Sequence, residues 1–125
     1  MANIFVVDDA VELGVLVKTL LEDENHVITL FADPEEAFAR LQNTVPDLIM
    51  VDVMMPKMDG YTLCTKLLED HRLSGVPVIV LTAKSSTREA FKSLPNVVSF
   101  LEKPYKKVVL AHMVERALAK AKKDG

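Results

Sequence analysis

The chain contains a single cysteine and only four glycines, and each scarcity removes a class of function. With Cys64 alone there is no disulfide framework, which points to a reducing, cytoplasmic setting. Cys64 lies in an apolar helical stretch, where a buried structural thiol is the expectation rather than a nucleophile. Gly14, Gly60, Gly75 and Gly125 are dispersed. None forms a G-x-G-x-x-G turn after a strand, so the backbone cradle that nucleotide cofactors need is missing. No apolar run approaches the roughly 20 residues of a membrane span, and no charged-then-apolar leader opens the chain. A soluble protein that is not exported and makes no membrane contact is expected. Basic residues are outnumbered, 15 against 18 acidic, for a net charge of −3. That balance excludes a wide basic surface, so direct nucleic-acid contact would require another domain. Lys120, Lys122 and Lys123 read as a solvated helix end, where positive charge favours the helix dipole.

What is present is globular composition: 50% hydrophobic and 26% charged over 125 residues, enough for one core and one domain spanning 1–125. Five apolar runs read as strands, at residues 3–7, 26–31, 47–51, 77–81 and 97–101. Four are almost continuously apolar, as in a parallel sheet covered on both faces. The run from His26, broken by Thr29, fits an edge. Helical periodicity separates the runs, with Leu13, Leu16, Val17 and Leu20 on one face early on. Leu110, Met113, Val114, Ala117, Leu118 and Ala121 form another face late in the chain. Shorter helices follow Asp33, Asp59 and Ser86. Asp33-Pro34-Glu35-Glu36 supplies a cap, a proline at the first helical position and a glutamate three residues after the cap. Alternating strands and helices with right-handed crossovers make a doubly wound α/β domain with five parallel strands and helices on both faces.

Polar residues interrupt the apolar runs at one recurring place. The first strand finishes at Asp8-Asp9, the third at Asp52, the fourth at Thr82, and the fifth runs through Glu102 to Lys103. In an open α/β sheet the carboxyl ends of the strands share one edge, where ligands bind, so these groups should converge. Three carboxylates together repel unless a cation compensates, and hard oxygen donors suit Mg²⁺, with Mn²⁺ as the alternative. Magnesium keeps open positions that a phosphoryl oxygen can fill. Lys103 brings positive charge, and the Thr82 hydroxyl and Ala83 amide are donors for phosphoryl oxygens. An aspartate can serve as the nucleophile of phosphoryl transfer. Singly, an aspartate after a strand is more often a turn or cap; the conjunction gives these their meaning. Asp59-Gly60 reads as a turn and cap for the third helix, and Pro56 as a rigid turn residue. His26, His71 and His112 show no ligand spacing and are expected at surface or edge positions.

On these motifs the chain resembles the receiver domain of bacterial two-component response regulators, over essentially its whole length. The matching pieces are Asp8-Asp9, VDVMMPKMDG from Val51 to Gly60, LTA from Leu81 to Ala83 and EKPY from Glu102 to Tyr105. The resemblance implies a flavodoxin-like sheet of order 2-1-3-4-5 and a signalling switch rather than a turnover enzyme. It makes Asp52 the phosphoacceptor, supplied by a sensor histidine kinase or phosphotransfer protein. Asp9, Asp52 and the Met54 carbonyl would hold Mg²⁺, with Asp8 acting mostly through water and Lys103 bridging to the phosphoryl group. Thr82 and Phe100 match the two positions that move on activation, Met54 and Lys84 those that tune acyl-phosphate hydrolysis. A cis bond is implied before Pro104, and a downstream protein target at the helix 4, strand 5 and helix 5 face. Ser93-Leu94-Pro95-Asn96-Val97 departs from the family's usual Gly-containing turn, so an early end to the fourth helix is expected. Two rivals share the sheet. Phosphohydrolases that use an aspartyl phosphate place a second aspartate two residues after the nucleophile, where this chain has Met54. A flavodoxin-like cofactor module needs the Gly-rich loop already found missing.

Overall fold

Strand residues alternate between two apolar layers, and this alternation organises the molecule. The computed structural model describes residues 2–55, 58–82, 88–102 and 105–124. The strands are β1 (Asn3–Val7), β2 (Val27–Phe31), β3 (Leu48–Asp52), β4 (Val78–Thr82) and β5 (Val97–Glu102). The helices are α1 (Val11–Glu22), α2 (Pro34–Leu41), α3 (Gly60–Glu69), α4 (Arg88–Phe91) and α5 (Lys107–Asp124). All strand pairs are parallel, in the order β2-β1-β3-β4-β5, the doubly wound arrangement expected.

Successive strand side chains point to opposite faces. Phe5, Val7, Ile49, Val51, Val78 and Val80 therefore meet Ala37 and Leu41 of α2, Leu63, Cys64 and Leu67 of α3, and Phe91 of α4. Ile4, Val6, Leu48, Met50, Ile79 and Leu81 meet Val17 and Leu21 of α1 and Leu110, Val114 and Ala117 of α5. Both faces of the three central strands are thus covered, which accounts for their unbroken apolar runs. β2 is an edge, as its interrupted run implied. β5 is the other edge, and only Leu101 of its six residues is buried; its apolar run reflects half-covered positions rather than burial on both faces.

Asp33 caps α2, accepting the Glu35 amide at 2.9 Å ahead of Pro34, and Asp59 caps α3 through Thr62 at 2.8 Å. Each is the expected side-chain cap. α4 ends at Phe91, six residues before β5, in line with the early end read from the sequence. The core face of α1 differs from the reading: Gly14, Val17 and Leu21 are its buried residues, while Leu16 is 40% exposed. His26 lies beside the edge strand but is buried. Its Nδ1 accepts the Ala2 amide at 3.2 Å, and its Nε2 lies 3.3 Å from Glu115 Oε1 of α5.

Candidate functional site

Register brings the strand ends together before any side chain is considered. Val7 pairs with Val51, Asp52 with Leu81, and Thr82 with Glu102. The carboxyl ends of β1, β3, β4 and β5 therefore stand in a row along one edge. Asp8 continues β1, its amide donating to Phe31 O at 3.0 Å, and its Oδ1 accepts the Ala10 amide at 2.9 Å. That bond closes the turn into α1 and fixes the direction of the carboxyl group. Asp52 is the last residue of β3, with the next amide, Val53, donating to Leu81 O at 3.2 Å.

Asp8, Asp9 and Asp52 each place one carboxylate oxygen within 4.8 Å of the others. Asp8 and Asp52 are buried, 3% and 6% exposed, whereas Asp9 faces solvent. Two desolvated carboxylates beside a third generate strong mutual repulsion, which a divalent cation relieves. All-oxygen donors, one of them open to water, fit Mg²⁺ or Mn²⁺ chemically.

Thr82 closes β4 in register with Glu102, the residue before Lys103. Ala83, Lys84, Lys103, Pro104 with its peptide bond, and Pro56 lie outside the described residues. Met54, two residues past Asp52, carries its side chain 76% exposed. Phe100 is half-buried on the α4 side. Its ring meets Phe91 edge-on at 6.2 Å and lies 5.4 Å from the Arg88 guanidinium. His71 and His112 are exposed, so no described histidine joins the acidic cluster.

Two residues acquire meaning only in three dimensions. Tyr105 is buried among Leu81, Leu101 and Leu110. Its phenol is held above its ordinary range first by burial and then by the charges of Asp8 and Asp52, so a neutral hydroxyl borders the acids. Its place in the EKPY motif was the available signal. Gly60 packs against the Asp52 peptide, a contact that a single Asp-Gly pair does not announce.

The response regulator receiver domain model matches residues 4–115, and the chain belongs to that family. The response regulator PleD of Caulobacter vibrioides is 38% identical over 111 residues, which is 87% of this chain and 24% of PleD. The receiver domain of a signal transduction histidine kinase from Syntrophus aciditrophicus is 38% identical, with a TM-score of 0.85. That match covers 96% of this chain and 92% of the other. The receiver domain of a Pseudomonas aeruginosa sensor histidine kinase, described with a magnesium ion coordinated in its active-site cleft, is 25% identical. Its TM-score is 0.86, over 94% of this chain and 98% of the other. The chain spans about a quarter of PleD and 52% of the response regulator Rre1 of Synechocystis. Receiver domains of this family serve phosphorylation-driven two-component signalling, in regulators and within kinases alike. Among the described residues no helix is long and apolar enough to cross a membrane.

Proposed function

We propose that residues 1–125 act as a single receiver (response regulatory) unit in which Asp52 accepts a phosphoryl group from a phosphohistidine. The donor is a sensor histidine kinase or a phosphotransfer protein. The observation that carries this reading is the convergence of the Asp8, Asp9 and Asp52 carboxylates within 4.8 Å at the carboxyl edge. Asp9, Asp52 and the Met54 carbonyl would hold Mg²⁺ or Mn²⁺ directly, and Asp8 through a water. The ion supplies charge neutralisation for the acids and the phosphoryl oxygens.

The chain's own groups account for the rest. An Asp52 Oδ attacks phosphorus, the P–N bond breaks, and its electron pair stays on the imidazole nitrogen, which takes a proton from solvent. The product is a mixed anhydride on Asp52. Lys103 offsets its added charge, while the Thr82 hydroxyl and Ala83 amide donate to phosphoryl oxygens. Drawing Thr82 toward the site opens space for Phe100 to turn inward, which re-forms the α4, β5 and α5 face read by a downstream protein. Water attack on phosphorus, breaking the P–O bond to Asp52, returns carboxylate and inorganic phosphate. Met54 and Lys84 set how readily that water arrives. The unit catalyses only its own phosphorylation and dephosphorylation, in the cytoplasm, without touching nucleic acid or membrane.

The segments that follow the strand ends carry exposed apolar side chains, which suit a protein donor better than a small one. Val11 and Val15 of α1 are 62% and 49% exposed, Met54 76% and Val108 of α5 81%. The deciding experiment is intact mass after incubation with acetyl phosphate, with and without Mg²⁺, beside Asp52→Asn. One acid-stable, base-labile phosphoryl group that needs the metal and Asp52 is expected. Absence of any adduct on the wild type overturns the assignment.

A further inference from the structure

Gly60 opens α3 with its backbone pressed on the peptide that carries Asp52. A Cβ added there would lie 2.5 Å from the Asp52 carbonyl oxygen, 3.1 Å from Val53 Cα and 3.2 Å from the Asp52 carbonyl carbon. Backbone atoms cannot swing aside as a flexible side chain would. Among the described residues no glycine has positive φ, so the conformation at Gly60 is one any residue adopts. The requirement is closeness alone. The same residue is tied to the strand exit by its own amide, which donates to Val53 O at 3.0 Å. One residue earlier, Asp59 stiffens the turn by accepting the Thr62 amide.

We propose that Gly60 is a positioning residue for the acceptor: the first turn of α3 acts as a backstop that sets the Asp52 peptide, and through it the Asp52 carboxylate and the chain leading to Met54. The proposal rests on the reading of Asp52 as phosphoacceptor. Its physical basis is that an error of about 1 Å in placing a reacting group costs up to about a hundredfold in rate. Lengthening the Gly60 contact to the ordinary separation of about 3.5 Å requires a shift of that size. The helix cannot retreat freely, because Leu63, Cys64 and Leu67 are locked in the core. The displacement therefore falls on the strand exit.

The test compares two pairs. Gly60→Ala should fold, accept phosphoryl groups from acetyl phosphate about tenfold or more slowly, and bind Mg²⁺ more weakly in an amide-shift titration read without any phosphoryl donor. Asp59→Ala and Asp33→Ala remove equivalent caps from α3 and α2, each with the comparable, modest loss of stability that deleting a cap brings. Only the first should slow acceptance and weaken the metal. This second pair decides the matter if Gly60→Ala does not fold. Wild-type rate and metal affinity in Gly60→Ala, or equal effects of the two cap variants, would overturn the proposal while leaving Asp52 as acceptor. A wild type that takes no phosphoryl group overturns the acceptor assignment and this inference with it.

Discussion

The Arg88 guanidinium lies 5.4 Å from the centroid of the Phe100 ring, and the same side chain reaches Glu102 Oε1 at 3.8 Å. One cation thus bridges the first residue of α4 as described and two positions of β5. Arg88 and Glu102 are 46% and 48% exposed at their side chains, so the ion pair itself adds little, and the ring contact is the part that bears on the proposed switch.

We predict that Arg88→Ala lowers stability by only about 0.5–1 kcal/mol, the usual worth of an exposed cation–π contact, yet frees the Phe100 ring. Urea midpoints give the first quantity. Ring resonances of labelled phenylalanine, without phosphate, give the second. An unaltered Phe100 signal would show that the arginine does not restrain it.

Leu67→Ala should produce the opposite profile. Leu67 is fully buried between α3 and the sheet, and truncation there costs about 2–5 kcal/mol through lost burial and the cavity left behind. At a temperature where the variant stays folded, phosphoryl acceptance should match wild type. A large loss of acceptance in a folded Leu67→Ala would mean that the core of α3, not its first turn, sets the acceptor.

Alkaline stability should report on Cys64. Its thiol is pushed up from 9.0 to about 12, first by burial and then by the Asp59 carboxylate. The fold favours the protonated form, and the unfolded chain ionises near 9. This contribution is therefore whole below pH 9 and is lost as pH rises toward 12, at up to about 1.4 kcal/mol per unit. Urea midpoints of wild type should fall more steeply from pH 8.5 to 10.5 than those of Cys64→Ala. Tyr105, also raised, titrates in both backgrounds and cancels in the comparison. Parallel slopes would refute the assignment.

Met54→Asn should shorten the life of the phosphorylated protein by about 3- to 10-fold, equivalent to about 0.7–1.4 kcal/mol on the hydrolysis barrier. On the proposed reading, the exposed Met54 thioether, two residues past Asp52, would hinder an attacking water that an amide could orient. The decay of the phosphoprotein mass after removal of acetyl phosphate measures it, and an unchanged lifetime would show that Met54 does not shield the anhydride.

The sequence announced what depends on local pattern. Runs of Val and Ile mark strands within a residue or so of their observed bounds, and Asp33 and Asp59 announce their helices because a cap is a contact two or three residues long. The three acids were legible because they stand where apolar runs stop. Leu16 was misplaced because apolar residues circle much of α1, and only the position of the sheet selects Gly14, Val17 and Leu21. The burial of His26 depends on Ala2 and Glu115, 24 and 89 residues away, beyond any window. The sequence of β5 resembles that of a doubly covered strand because an edge with half-buried positions has the same composition as a central strand.

The acidic cluster joins two stretches more than forty residues apart, through the pairing of β1 with β3. Neither stretch alone has the cluster, and a one-residue slip would turn alternate side chains to the wrong face. Divalent-ion affinity, where the cluster provides it, would therefore serve as a clock for folding. If the cluster holds magnesium as proposed, the moment in a refolding experiment at which the chain first captures the ion would date the docking of its first strand on its third.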